Sequence, residues 1–508
     1  MTSTQILITI ACYFAVLVAI SFIVGRTSDS ATFFRGNRSS PWFIVAFGMI
    51  GASLSGVTFI SVPGAVEEGA MNYFQVVLGY IVGYLVIGTV LLPLYYRMNL
   101  TSIYSYLNDR YGSAAQYTGS SFFILSRVVG ASFRLYLVAG VLQEFVFESM
   151  GVEFWQTVTL TVILIWLYTF KSGIKTIVWT DTLQTLFMLI AVGVSIYYIS
   201  DSLNLNGIGE ITGFISDSEL SQIFFFDDWK SGQYFFKQFF AGAFIAIVMT
   251  GLDQDMMQKN LTCRSLGDAQ KNMFWFTIVL TFVNLVFLGL GVLLTAFAKA
   301  EDLTATKDKL FAAIALDSNL GIGIGLVFIL GLVAAAYSSA DSALTSLTTS
   351  FSVDILRLEQ NYEEKKQNWI RKLVHVGFSL LLIIVIVSFE YLIQDASVIN
   401  KLFVFAGYTY GPLLGLFAFG ILTKIKVQHH ATPIIAIISP FIAFGISSAA
   451  NYFFEFEFGF FVLLLNGFIT FLGLLIASIF SHQVLEVLIK IILYKLLATA
   501  VNLVLMVL

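Results

Sequence analysis

The chain is poor in cysteine, histidine and charge, and each scarcity excludes a class of protein. Its 508 residues include two Cys and four His, too few for a disulfide framework or a typical transition-metal centre. Charged residues make up 11% of the chain, and the net charge of -4 argues against nucleic-acid binding. In contrast, 58% of the residues are hydrophobic and the mean hydropathy is +0.87. A soluble domain does not need so much apolar surface, so the composition predicts a membrane protein.

Apolar windows long enough to cross about 30 Å of hydrocarbon define fourteen candidate spans. They begin near residues 5, 43, 74, 118, 154, 176, 233, 272, 321, 371, 401, 431, 458 and 484. The first lacks the basic leader and cleavage site of a signal peptide, so we expect it to remain in the mature protein. These spans predict an all-α, polytopic membrane protein with about 14 transmembrane helices.

Lys and Arg between the spans predict the orientation, because cytoplasmic loops accumulate basic residues. The loops after odd-numbered spans carry most of them, including Arg26, Arg97, Lys259 and Lys365. The N-terminus is therefore expected outside the cell and, with fourteen spans, the C-terminus as well. We expect a monomer in the lipid bilayer of the inner (plasma) membrane.

Two carboxylates lie in or beside spans that are otherwise apolar. Asp181 begins an apolar stretch that runs to Ser195, and Asp341 lies within span nine. A carboxylate at membrane depth is costly unless it holds a cation. The working hypothesis is therefore a buried cation site.

Two spans contain residues that interrupt a helix. Span two has glycine, hydroxyl residues and proline throughout residues 48–64, and span seven becomes polar at Asp253 and Asp255, just after Gly251. Unwound backbone at membrane depth occurs where it lines a cavity, and matching broken helices mark a transporter's binding site. The two spans are five apart, an odd number, so two five-helix units would have opposite orientations. Close helix packing is the alternative explanation for the small residues, but it does not explain the carboxylates.

Span nine carries a polar stripe in which Ser338, Asp341, Ser342 and Thr345 share one helix face. Hydroxyl, carbonyl and carboxylate oxygens are hard donors, and few of them are charged here. This pattern favours a monovalent cation over calcium or a transition metal, although serine stripes also mediate helix packing.

Arg127 and Arg134 both fall within span four, seven residues apart and so on one face. Arg127 is close enough to a span end for its side chain to snorkel. Arg134 is deeper, and we expect it to face a water-filled cavity or an internal partner.

Four motifs in this chain resemble those of the sodium/solute symporters, which include sodium/galactose, sodium/proline and bacterial sialic-acid carriers. In chain order they are Ile177-Val178-Trp179-Thr180-Asp181 after Gly173, Asp253-Gln254-Asp255 with Gln258-Lys259 and Asp268-Ala269-Gln270-Lys271, Ser338-Ser339 with Ser352-Val353-Asp354-Ile355, and Gly411-Pro412. The resemblance extends over about residues 1 to 480. It implies a 5+5 inverted repeat of the leucine-transporter type, with one extra helix before the core and others after it.

The resemblance also implies the sodium ligands. The shared site would use the carbonyls of Gly51, Leu54 and Ala335 with the hydroxyls of Ser338 and Ser339. A second site, present in some members, would use Asp181, Ser338, Asp341 and Ser342. The number of bound Na+ ions, one or two, therefore remains open.

By position in the family, nine residues are candidates for the solute cavity: Ser53, Thr58, Phe74, Gln75, Arg127, Arg134, Thr250, Gln254 and Tyr408. An arginine of span four resembles the carboxylate anchor of sialic-acid carriers, and Arg is suited to pair with a carboxylate through two hydrogen bonds. We therefore expect a small polar organic solute that bears a carboxylate, with a sugar, polyol, amino acid or inorganic anion as alternatives. Sodium would favour the outward-open state, and rocking of one helix bundle would carry both ligands inward.

Two other classes of function would use some of the same residues. A cation channel would pass sodium without solute. An enzyme would depend on Asp253 and Asp255 without a His, Cys or metal partner, so we expect no enzymatic activity. The predicted units are 1–42, an extra helix and cytoplasmic loop; 43–230 and 231–423, the two repeats; 424–480, accessory helices; and 481–508, a terminal helix of uncertain origin.

Overall fold

The structure is a computed structural model that describes residues 3–24, 38–169, 174–305, 307–317, 320–392, 398–428 and 430–479. Within these ranges, ten helices are long and apolar enough to cross a membrane, and two further spans are bent helix pairs. Phe154–Thr169 is a shorter apolar helix. The predicted terminal helix at 481–508 lies outside the described residues, so the total of fourteen spans is not confirmed.

The helices are numbered after the spans that predicted them. Their bounds are α1 Ser3–Val24, α2a Trp42–Leu54, α2b Gly56–Gly64, α3 Tyr73–Val86, α4 Ser113–Leu142, α5 Phe154–Thr169, α6 Ile174–Ser202, α7a Phe235–Ala246, α7b Gln254–Asn260, α8 Leu266–Ala300, α9 Ile322–Ser350, α10 Glu364–Leu392, α11 Val398–Leu422, α12 Ala431–Phe454 and α13 Val462–Ile479. Helical turns extend α3 to Arg97, α7a to Gly251 and α9 to Ile355. Short helices connect them at Val66–Gly69, Ser105–Tyr111, Ile208–Asp217, Leu310–Asp317 and Leu358–Asn361.

The interruption predicted in span two is confirmed. The axis bends by 56° between α2a and α2b, and Ser55 at the break has φ 16° and ψ 169°, outside the helical region. Gly56 follows at a close approach to α4, where a Cβ would meet Val138 at 2.6 Å. Small residues therefore allow both the break and the contact that holds it.

The interruption predicted in span seven is also confirmed, with a bend of 69°. Asp253 has extended backbone and caps α7b, because its carboxylate accepts hydrogen bonds from the N–H groups of Asp255 (2.9 Å) and Met256 (3.3 Å). A carboxylate at this position satisfies N–H groups that the break leaves without helical partners. A π-helical turn at Ile247–Gly251 precedes it.

The polar face of span nine lies in the protein interior. Every residue of α9 from Gly331 to Ser350 is buried, and the helix packs along α6 and against α2a and α4. A helix that is buried all round occupies a core. Helix α7a packs closely on α3, where a Cβ on Gly79 or Gly83 would collide with backbone atoms of α7a. The two broken helices thus lie beside a central α9.

Candidate ion and solute site

A cleft lies beside the two helix breaks. Five of the predicted solute residues line it: Ser53 and Thr58 of the broken α2, Arg127 and Arg134 of α4, and Thr250 of α7a. Its other walls include the side chains of Tyr73, Tyr80, Tyr84, Asn284, Met249 and Phe403, which the sequence did not identify. The cleft therefore offers hydroxyl, amide and guanidinium groups between apolar surfaces, as small-molecule sites do.

The other four predicted solute residues do not line this cleft. Gln75 is fully buried and hydrogen-bonds to the backbone at residues 225 and 233, at 3.2 and 3.0 Å. Gln254 binds the backbone at residues 101 and 103, at 2.9 and 3.0 Å. Tyr408 packs on an aromatic ring of α12, and Phe74 is half-buried against the core. Both glutamines hold connecting segments in place.

Arg127 is balanced by two carboxylates of the second break. Its guanidinium forms an ion pair with Asp255 and lies 3.8 Å from Asp253. Tyr410 donates a hydrogen bond of 2.6 Å to the same Asp253 carboxylate. The side chain is 7% exposed, so it remains inside the protein and does not snorkel to a surface. Arg127 joins α4 to α7b.

Arg134 differs from Arg127 because no carboxylate of the described residues pairs with it. It is 9% exposed and lines the cleft, and its Nε has no hydrogen-bond partner among the described residues. No carboxylate of the described residues lies within ion-pair distance of it. A buried guanidinium without an acceptor is costly, so the cleft favours an anionic ligand.

Asp181 lies at the centre of a second polar cluster, between α6, α7b and α9. The Ser338 hydroxyl donates to Asp181 Oδ1 at 2.7 Å, and the Ser342 hydroxyl lies 3.4 Å from Oδ2. The ammonium of Lys259 lies 2.8 Å from Asp181 Oδ2 and donates to Ser342 at 2.7 Å. Lys259 was assigned to a cytoplasmic loop in the count of basic residues; in the structure it is 1% exposed.

Asp341, predicted to share this cluster, pairs with a different group. Tyr168 of α5 donates a hydrogen bond of 2.9 Å to Asp341 Oδ2. The other oxygen, Oδ1, is buried and has no hydrogen-bond partner within the described part of the chain. Asp341 therefore retains one free acceptor.

The residues assigned to the shared sodium site have donors suited to an alkali ion. Leu54 is the last residue of α2a, directly before the break, and Gly51 lies so close to α6 that a Cβ would collide with Thr185. Ala335 and Ser339 are buried on α9, and the Ser339 hydroxyl has no partner among the described residues. The described part of the chain contains no group of three or more His, Cys, Asp or Glu able to hold a metal ion. Carbonyl and hydroxyl donors fit a hard monovalent cation.

Some site residues escaped the sequence analysis because their partners are distant along the chain. Tyr168 and Tyr410 each lie among several other aromatic residues of an apolar span, and nothing local distinguishes them. Lys259 had one local signal, its position four residues after Asp255 on α7b, where the two side chains lie 3.6 Å apart. Opposite charges at this spacing stabilise a helix, and within an apolar region they suggest burial.

The profile that describes the sodium:solute symporter family (SSF) matches residues 33–429. The chain belongs to this family. The symporter is 25% identical to sodium-coupled monocarboxylate transporter 1 of Mus musculus over 80% of its own length and 67% of that protein. It is 23% identical to the sodium/sialic acid symporter NanT of Aliivibrio fischeri, over 91% of its own length and 92% of the relative.

A solved structure shares the fold of this symporter. It is a Na+-coupled sialic acid symporter in a substrate-bound, outward-open state, with a TM-score of 0.80 and 20% sequence identity. The match covers 94% of this chain and 98% of that chain. The likeness shows an all-α transporter fold of the leucine-transporter type, as predicted.

Family membership confirms several predictions about activity. Sodium is the coupling ion, and the protein is a multi-pass membrane transporter and not an enzyme. Asp253 and Asp255, the pair considered for catalysis, are engaged with Arg127, Tyr410 and the α7b backbone. The identity of the solute depends on the cleft.

Proposed function

We propose that this symporter imports a small organic carboxylate together with sodium, and that Arg134 binds the carboxylate group. The observation that carries the proposal is the contrast between two buried arginines of one helix. Arg127 is neutralised by Asp255, whereas Arg134 lines the cleft without an acceptor among the described residues. A guanidinium and a carboxylate form two parallel hydrogen bonds, which gives both affinity and orientation.

The rest of the cleft supports a small carboxylic acid. Hydroxyl groups of Ser53, Thr58 and Thr250 can bind polar substituents, while Met249 and Phe403 supply apolar surface. The names of the relatives above, monocarboxylate transporter and sialic acid symporter, both denote carriers of carboxylic acids. Sodium and solute would enter from the outside, in line with an external N-terminus.

Sodium would bind where the broken α2 meets α9. In this proposal the carbonyls of Gly51, Leu54 and Ala335 and the hydroxyls of Ser338 and Ser339 hold the ion. Ser53, Thr58 and Leu54 all belong to the same broken helix and line the cleft. An ion that fixes this break also positions cleft residues, so each ligand should raise the affinity of the other. Rocking between the repeats, 43–230 and 231–423, would then release both inside.

The test is uptake into proteoliposomes by the wild type and by Arg134→Gln, with short monocarboxylates as solutes under an inward sodium gradient. Loss of a buried charged contact should lower the apparent affinity about 30-fold or more. Arg134→Lys, which keeps the charge without the planar guanidinium, should be intermediate. The matched control is Arg97→Gln, because Arg97 is exposed at the end of α3.

Three results would contradict the proposal. Equal carboxylate uptake by wild type and Arg134→Gln would remove Arg134 from the site. Sodium-driven uptake of sugars or polyols in place of carboxylates would identify a different solute class. Sodium flux without any solute would indicate a channel.

A further inference from the structure

We propose that the ammonium of Lys259 is a tethered second cation, which occupies the oxygen cluster of Asp181, Ser338 and Ser342 so that the symporter binds a single sodium ion. This inference rests on the proposed sodium site at the α2 break and extends it to stoichiometry. It concerns the second sodium site, because the sequence did not decide between one and two bound sodium ions.

The geometry places the ammonium among the oxygens expected to hold a second ion. Lys259 Nζ lies 2.8 Å from Asp181 Oδ2 and donates to Ser342 Oγ at 2.7 Å. Ser338 donates to the other oxygen of the same carboxylate at 2.7 Å. The lysine side chain is 1% exposed and that of Asp181 is fully buried. A second sodium ion at Asp181 would have to displace the ammonium.

Two of the three carboxylates in this region, Asp181 and Asp255, already have a cationic partner, whereas Asp341 has Tyr168 as its side-chain partner among the described residues. Among the described residues, Asp181 has Lys259 as its ion-pair partner, and Asp255 is shared by Lys259 at 3.6 Å and Arg127. Buried carboxylates need such partners, because solvent does not stabilise them. An additional sodium ion at Asp181 would add positive charge beside the buried ammonium of Lys259. The Lys259 ammonium thus supplies the positive charge that the buried Asp181 carboxylate needs.

The helix that carries Lys259 holds the ammonium in place. All residues of α7b, Gln254–Asn260, are buried. Asp253 caps the helix and accepts from Tyr410, while Asp255 pairs with Arg127. Unlike a free ion, this cation cannot be released to the cytoplasm in each transport cycle. It provides fixed charge, and only the ion at the α2 break would respond to the sodium gradient.

The experiment counts sodium ions bound to the purified full chain by radiolabelled sodium binding, in the absence of solute. The wild type should bind one ion with a Hill coefficient near one. Lys259→Met keeps an apolar stem and removes the charge, so it should bind a second ion per protein. Lys259→Met combined with Asp181→Asn removes both charges and should bind one ion again. Lys237→Met is the matched control, because Lys237 is also buried but binds the carbonyls of Lys230 and Glu457.

Two ions bound to the wild type would overturn the inference and leave the proposed function intact. One ion bound to a folded Lys259→Met protein would also overturn it, as would two ions bound to the double variant. If Lys259→Met does not fold, Lys259→Gln, which also removes the charge, takes its place and should bind two ions. Wild type that binds no sodium would overturn both proposals. A wrong solute assignment would change none of these counts, since no solute is present.

Discussion

Asp255 lies between the cleft and the proposed ion site, and Asp255→Asn should uncouple solute binding from sodium binding. One of its oxygens pairs with Arg127 at the cleft wall, and the other lies 3.6 Å from Lys259. Lys259 in turn binds Asp181, which accepts the hydrogen bond of Ser338. Ser338 is a proposed sodium ligand, so polar contacts run without interruption from Arg127 in the cleft wall to the proposed ion site.

The expected magnitude follows from burial. Removing one partner of a buried ion pair costs about 3–5 kcal/mol, and asparagine keeps the shape, so we expect about 3 kcal/mol of lost stability. Arg127 would retain only Asp253, 3.8 Å away. Coupling between two ligands is typically about 1–3 kcal/mol, or about 5- to 150-fold in affinity. In Asp255→Asn, the factor by which the carboxylate raises the sodium affinity should fall below about 5-fold.

The assay measures the sodium affinity of purified protein by intrinsic fluorescence, with and without saturating carboxylate. The ratio of the two affinities is the coupling factor, and thermal unfolding gives the loss of stability in parallel. Asp302→Asn is the control, because Asp302 is exposed and its positive φ of 52° is tolerated by asparagine. A coupling factor equal to that of the wild type, in an Asp255→Asn protein that has lost stability, would refute a coupling role for these contacts.

Two further predictions concern packing and accessibility. Gly51→Ala places a Cβ against Thr185, and overpacking of about 1–3 kcal/mol should weaken sodium binding about 5- to 150-fold. The control is Gly130→Ala, which should leave the sodium affinity unchanged because nothing lies within 4 Å of the added Cβ. Equal effects of the two substitutions would contradict the steric argument. Burial raises the pKa of Cys263 to about 12, with Asp268 adding to the shift, so in a Cys12→Ala background maleimide at pH 8 should label the protein only after unfolding. Labelling of the folded protein would show that this thiol is accessible.

The spans and their interruptions could be predicted because both are local properties. A stretch such as Ser3–Val24 is recognisable from its own residues, since lipid requires a continuous apolar helix. The breaks at Ser55 and Asp253 were visible because glycine, hydroxyl and carboxylate groups are out of place at membrane depth. The position of Arg134 in a cleft follows from the same cost, whereas Arg127, which could have snorkelled, is buried in the cleft wall as well.

The partners of polar residues could not be predicted, because they depend on contacts between distant helices. Gln254 adjoins the second break and was expected to face the solute, yet it binds backbone at residues 101 and 103. Arg127 and Arg134 look alike in sequence, but among the described residues only Arg127 has carboxylates, those of Asp253 and Asp255, within ion-pair distance. Chemistry identified the polar residues, and tertiary packing decided their roles.

Lys259 shows how the two levels combine. The sequence predicted that Asp181 must hold a cation, since a carboxylate in an apolar span requires one. The structure supplies that cation from the protein itself, 2.8 Å away and 78 positions later in the chain. A count of basic residues by loop placed Lys259 in the cytoplasm because it follows an apolar span, although its neighbours on α7b are all buried. With Asp181 paired, the proposed sodium site at the α2 break consists of the neutral oxygens of Gly51, Leu54, Ala335, Ser338 and Ser339. A site of neutral donors binds its ion weakly enough to release it in every cycle.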